Sequence, residues 1–122
     1  MELILKYFPE LTAVQRERFA ALGALYREWN DRINVVSRKD IDQLYLRHVL
    51  HGLAIAKVCA FHPGARVLDL YAGSGQLGIE ALSRGAARCV FLDENREAVN
   101  IVMRNCKACG VFDRSRVNIG EA

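Results

Sequence analysis

Apolar residues along this chain follow two patterns, and the change between them divides the molecule. Phe19, Leu22, Tyr26 and Trp29 recur at steps of three, four and three, with Leu25 alongside. That spacing lines one face of an α-helix ending near Asn30. Thr12-Ala13-Val14-Gln15 has capping-box spacing and predicts its start. At this periodicity core packing is the expected role of Tyr26 and Trp29, with base stacking as the alternative. Upstream, Leu3, Ile4, Leu5, Tyr7 and Phe8 form a short apolar patch that Pro9 interrupts. Downstream, Asp31 to Lys39 reads as a connection with an extended piece, Ile33-Asn34-Val35-Val36. Ser37 or Asp40 is placed to cap a further helix running to about Ala60. Gly52 costs that helix about 1 kcal/mol relative to alanine and marks close packing or a bend. His48 and His51 on it read as partly buried, hydrogen-bonded residues rather than catalytic bases. His62-Pro63-Gly64 breaks it.

From Arg66 onward strands and helices alternate. Val67, Leu68 and Leu70 form a short buried strand, and Gly73 and Gly75 allow a sharp turn. Leu77 to Arg84 is a helix closed by Gly85. Arg88 to Asp93 is the second strand. Asn95 caps the next helix, whose buried side is Ala98, Val99, Val102, Met103 and Cys106, and Gly110 ends it. After a turn over Val111 to Ser115, Arg116-Val117-Asn118-Ile119 is the third strand. The order β-α-β-α-β, joined by right-handed crossovers, predicts an α/β fold with a parallel sheet. Two parts are expected: a helical segment over 1–62 and the strand-containing domain over 63–122.

Bulk properties narrow this little. A length of 122 residues bounds one domain or a piece of one. The net charge of +3 permits an RNA partner without arguing for one. No apolar run reaches the ~18–20 residues of a membrane span and no signal-peptide pattern opens the chain, so the expected location is the cytoplasm. Cys106-Lys107-Ala108-Cys109 has the spacing of a zinc or redox pair. A structural zinc needs two further ligands, which the neighbouring sequence lacks, and the pair falls at a helix end that does not stabilise thiolates. No metal site is expected.

Candidate chemistry gathers at the first turn. Gly73-Ser74-Gly75-Gln76-Leu77-Gly78 is a G-x-G-x-x-G between a strand and a helix, a setting that suits a bound nucleotide-like ligand. Asp93, twenty residues beyond Gly73, ends the second strand, where a carboxylate accepts from both hydroxyls of a ribose. Asp69 just before the loop would repel a pyrophosphate but favours a cationic ligand. Glu121 follows the third strand on the same sheet edge and is placed to accept from an adenine amino group. Three carboxylates on one edge point to S-adenosylmethionine, which carries an ammonium and a sulfonium, more than to a dinucleotide. In the alternative, Asp69 merely caps the turn and Glu121 is a solvated acid.

These residues also carry two resemblances. Arg66-Val67-Leu68-Asp69-Leu70-Tyr71-Ala72-Gly73-Ser74-Gly75, Glu80 to Ala86, Phe91-Leu92-Asp93 and Asn118 to Ala122 resemble the 16S rRNA guanine-N2 methyltransferases, although that family more usually has Asp where Glu121 stands. Residues 1–65 resemble the 16S rRNA 7-methylguanosine methyltransferases (glucose-inhibited division protein B). The likeness lies in Lys6 to Leu11, Trp29-Asn30, Ile33-Asn34-Val35, Ser37 to Asp40 and Arg47 to Leu50. The second family usually has a glycine-richer loop than Tyr71 to Gly75, and serine where Gly52 stands. Both are Rossmann-like methyltransferases using S-adenosylmethionine, so the resemblance implies a three-stranded half of that sheet. It implies that Asp69, Gly73 and Gly75 hold the methionine side of the cofactor. Asp93 would bind its ribose, and Glu121 would lie near the adenine. It implies 16S rRNA or the small ribosomal subunit as partner. The switch at the first strand reads most simply as a recombined or engineered chimera. The Asn/Asp-Pro-Pro-Tyr type of motif that clamps the target base in the guanine-N2 family is missing, since Pro9 and Pro63 are the only prolines. No catalytic residue is therefore assigned, and the chain is expected to bind cofactor without turnover. An engineered folding chain with a vestigial site, or a dinucleotide-binding module, is the alternative. The first strand should have a free edge, inviting a homodimer.

Overall fold

The computed structural model describes residues 1–33 and 36–121. The chain forms two compact units, Met1–His51 and Gly52–Ala122.

The first unit is helical. Helix α1 (Glu2–Tyr7) packs against the segment Tyr45–Leu50, and Ile4, Phe8, Leu44 and Val49 are buried. Helix α2 (Ala13–Arg32) starts in the expected capping box: the Gln15 N–H donates to Thr12 Oγ1, and the Thr12 N–H donates to Gln15 Oε1. The apolar stripe of α2 is a different matter. No residue of this helix is fully buried, and Trp29 is 45% exposed, so it is not core. Leu25, Tyr26, Trp29 and Ile33 line an open apolar groove, with the Arg32 guanidinium 5.4 Å from the Trp29 ring. Periodicity fixes which side chains share a face, not what covers it. Of the expected extended piece, Ile33 is extended, while Asn34 and Val35 lie outside the described residues.

The long helix expected from about Ser37 to Ala60 is not one helix. A 3-10 turn (Ile41–Gln43), a π-helix (Tyr45–Leu50) and two short α-helical turns (His51–Leu53 and Ile55–Val58) take its place. Its first residues have other partners. The Tyr45 hydroxyl donates to the Phe19 carbonyl at 2.7 Å and accepts from the Gly23 N–H at 3.1 Å, entering the backbone ladder of α2. Asp40 caps nothing: its carboxylate receives the Arg47 guanidinium, and this bond holds it below the usual carboxylate range. His48 Nε2 lies 3.7 Å from the same carboxylate.

The second unit holds the sheet. Strands β1 (Arg66–Leu70), β2 (Arg88–Asp93) and β3 (Ser115–Ile119) are parallel and lie in the order β1-β2-β3. Helices α3 (Gln76–Ser83) and α4 (Arg96–Ala108) make the crossovers. With strands added in one direction, right-handed crossovers place both helices on one face. The core lies there: Ala81 and Leu82 of α3, Val102 and Cys106 of α4, and Cys89 and Phe91 of β2. Asn95 Oδ1 accepts from the Glu97 and Ala98 N–H groups, so α4 starts where the sequence places it. Gly110, at φ 71°, follows its end.

Strand β1 departs from its expected burial. Leu68 is 59% exposed and Leu70 44% exposed, while Asp69 between them is buried. Successive side chains point to opposite faces, and α3 and α4 pack on the face of Val67 and Asp69. Among the described residues β1 pairs on one side alone, with β2. The cysteine pair is split: Cys106 is in the core, where burial pushes its thiol up, and Cys109 is exposed. No helix among the described residues is long and apolar enough to cross a membrane.

Candidate functional site

The chain reverses sharply as it leaves β1. Tyr71, Gly73 and Gly75 all take positive φ, at 57°, 58° and 82°. Two backbone bonds fix the loop: the Ala72 N–H donates to the Leu92 carbonyl, and the Gly75 N–H donates to the Ala72 carbonyl. Asn105 of α4 adds a third, its Nδ2 donating to the Ser74 carbonyl at 2.8 Å. Gly75 is buried at the N-cap of α3, where a Cβ would stand 3.1 Å from Val102 Cγ1. Gly73 is open: a Cβ there would find nothing nearer than the Tyr71 carbonyl oxygen at 3.9 Å. Gly75 therefore serves packing, and Gly73 borders free space.

Asp93 ties this loop to the next. Its Oδ2 accepts from the Gly73 N–H at 2.9 Å and its Oδ1 from the Asn95 N–H at 2.9 Å. These bonds, that from Asn95 first, hold its carboxyl below the usual range. A carboxylate has about four acceptor positions, so roughly two remain for hydroxyls of a ligand. Beside it is a cavity of about 200 Å³ lined by Tyr71, Leu92, Asp93, Glu94, Gly120 and Glu121. Three of the six are carboxylates and none is a cation. Cationic or hydroxyl-bearing groups are favoured in such a place, and phosphates are not.

Asp69 does something else. It is 8% exposed and is not among the residues lining the cavity. Its Oδ2 accepts from the Gly78 N–H at 3.0 Å, in the first turn of α3. The N-cap of that helix is a glycine without a side chain, so the strand before it supplies the capping oxygen. Burial pushes its carboxyl up, opposed by the Gly78 bond and helped by the nearby charge of Asp93. Of the five candidate residues, then, Asp93 and Glu121 share the cavity wall, Gly73 is bonded to Asp93, and Gly75 and Asp69 hold the loop from inside.

Two residues at this site carry no sequence signal of their own. Tyr71 lines the cavity, yet tyrosine is not a residue that marks a left-handed turn. Asn105 reaches the loop across 31 residues. Away from the site, Arg114 donates to the Leu82 and Ala86 carbonyls, satisfying acceptors at the end of α3 and just beyond it.

Comparison with known proteins extends this picture. The family described as "Conserved hypothetical protein 95" matches residues 53–122. Ribosomal RNA small subunit methyltransferase G of Bacteroides thetaiotaomicron is 62% identical over 79 residues, which is 65% of this chain and 38% of that protein. The same protein of Cytophaga hutchinsonii matches with the same identity and coverage. The chain thus spans less than two fifths of the length of these curated relatives. In 122 residues, matches of these lengths overlap. Among solved structures, a conserved hypothetical protein of Streptococcus pyogenes is 37% identical with a TM-score of 0.52, over 57% of this chain and 44% of that one. A geranyl diphosphate methyltransferase in complex with SAM has a TM-score of 0.58 at 16% identity, over 66% of this chain and 33% of that one. The C-terminal domain of precorrin-6Y C5,15-methyltransferase from Rhodobacter capsulatus has a TM-score of 0.53 at 23% identity, over 61% and 39%. The last two establish the fold alone, that of a Rossmann-like parallel sheet. With a match covering more than half its length, and with an α/β fold of helical segment and three parallel strands, the chain belongs to the Conserved hypothetical protein 95 family, and part of it is similar to ribosomal RNA small subunit methyltransferase G.

Proposed function

We propose that this chain is the S-adenosylmethionine-binding portion of an rRNA methyltransferase, working in the cytoplasm on 16S rRNA or the small ribosomal subunit, and without turnover by itself. One observation carries the reading. Asp93 is clamped by two backbone N–H groups at the rim of a cavity whose polar side chains are acids and the tyrosine.

The residues present fit the cofactor. Asp93 keeps acceptor positions for a ribose diol, Glu121 shares its cavity, and the space beside Gly73 is open where a side chain would intrude. Ligand pockets commonly measure ~300–1,000 Å³. The cavity of about 200 Å³ therefore suits the nucleoside, with the amino-acid end lying along the glycine loop. Asp69 acts through the loop and helix it holds rather than by contact. The bound cofactor would supply an electrophilic methyl group on its sulfonium, and these residues would hold and orient it. The missing proline motif leaves no clamp for a target base, and methyl transfer needs the acceptor aligned with the departing sulfur.

Calorimetric titration tests this. S-adenosylhomocysteine is expected to bind saturably and NAD not to bind. Preference for NAD, or no binding of the adenosyl ligand at millimolar concentration, would overturn the reading. Turnover on 16S rRNA or 30S particles by this chain alone would overturn the part that denies it activity.

A further inference from the structure

We infer that Tyr71 is a ligand-contacting residue whose ring forms one wall of the nucleoside cavity. This inference rests on the cofactor reading above and names a residue that reading does not use.

The starting point is a mismatch between strain and packing. Tyr71 is the one non-glycine residue with positive φ among the described residues, at 57°. The left-handed region crowds any Cβ against the following carbonyl, so a bulky residue there is costly. Such strain persists in folded proteins when something compensates it. Burial does not compensate it here: Tyr71 is 79% exposed. Its hydroxyl makes no hydrogen bond among the described residues. Glycine would take this backbone without strain, as Gly73 and Gly75 do two and four residues on.

Position supplies what burial does not. Tyr71 lines the same cavity as Asp93 and Glu121, opening directly from the loop that Asp93 clamps. Its other neighbours there are Leu92, Glu94 and Gly120, so Tyr71 is the one aromatic residue among those lining the cavity. Every nucleobase and its ribose present a flat or apolar face, and an aromatic ring packs on it without needing a particular base edge. Asp93 then fixes the sugar by hydrogen bonds while Tyr71 covers a face of the nucleoside. The tyrosine is kept at a position suited to glycine because its ring completes the binding site.

The test uses the whole chain with S-adenosylhomocysteine as probe, and reads affinity and melting temperature together. Tyr71→Gly is expected to melt at or above the parent's temperature and to bind at least about tenfold more weakly, within the range found when stacking aromatics are removed. Tyr71→Phe is expected to bind within about threefold of the parent, because the ring and not the hydroxyl makes the contact. Unchanged affinity in Tyr71→Gly would overturn the inference. So would a melting temperature lowered together with the affinity, since the ring would then serve the fold. An equal loss in Tyr71→Phe would also overturn it, by moving the contact to the hydroxyl. Asp93→Ala separates the two layers: loss of binding there with none in Tyr71→Gly leaves the cofactor reading standing and removes this one. A parent chain that binds no S-adenosylhomocysteine removes both.

Discussion

Asp93→Ala is expected to weaken S-adenosylhomocysteine binding at least about a hundredfold while leaving the chain folded. The fold should survive because the two N–H groups that lose their acceptor, of Gly73 and Asn95, are at an exposed site where water replaces the carboxylate. Binding should not survive, because hydrogen bonds to a charged acceptor are the strong ones and the ligand would lose two at once. The glycine loop and the β2–α4 loop also lose the group that joins them. Asp93→Asn keeps one acceptor oxygen and should fall between the two. Its pH behaviour has a definite sign. The backbone bonds lower the carboxyl from its ordinary value of 3.8, so Asp93 stays ionised from neutrality down past that value. The difference in affinity between parent and Asp93→Asn should therefore persist to lower pH than an ordinary carboxylate would allow, and be lost only as pH falls through the lowered value. A difference that shrinks well above that pH would mean the carboxylate is not held as described.

Gly78→Ala is expected to be the most destabilising single methyl in the second unit. A Cβ at Gly78 would run into the Phe91 ring and stand 2.7 Å from Cys89 Sγ. Both neighbours are fully buried and neither has room to give. Overpacking of this kind costs about 1–3 kcal/mol. The clash falls at the upper end because the Gly78 N–H also holds the Asp69 carboxylate, so α3 is not free to retreat. In a unit of this size a loss of about 2 kcal/mol lowers Tm by roughly 10 °C. Gly52→Ala is the matched control. Its Cβ would meet the amide of Gln76, an exposed side chain that must shift and exchange its present contact for water, and alanine favours the helical turn, which offsets part of that cost. It should melt within a few degrees of the parent. A mild Gly78→Ala, or an equally harmful Gly52→Ala, would contradict the packing of α3 on β2 described above.

The parts of the fold legible in the sequence are those written in local chemistry. Strand β2 and its boundaries, the Asn95 cap, the Thr12–Gln15 capping box and the glycine that ends α4 each depend on residues a few positions apart. The parts that were not legible depend on distant partners. The π-helix at Tyr45–Leu50 begins where a tyrosine hydroxyl reaches the carbonyl of Phe19, 26 residues back, and helical periodicity is blind to that. The exposure of Leu68 and Leu70 depends on what covers the second face of the sheet, which a run of apolar residues does not state. At the site, the acidic character of Asp69 was plain but not its partner: nine residues on, the Gly78 N–H takes the carboxylate inward. Tyr71 was hidden for the opposite reason. The signal for a left-handed position is glycine, asparagine or aspartate, and the chain places a tyrosine there.

The cavity at Asp93 is proposed to hold an adenosyl ligand. Amide chemical shifts recorded while S-adenosylhomocysteine is titrated into the isotopically labelled chain test it most directly. Saturable shifts are expected at Gly73, Asn95, Gly120 and Glu121, with Gly85 and Gly110, which follow the far ends of α3 and α4, unmoved. No saturable shift up to millimolar ligand would contradict it, as would shifts centred on the Leu25–Ile33 groove instead.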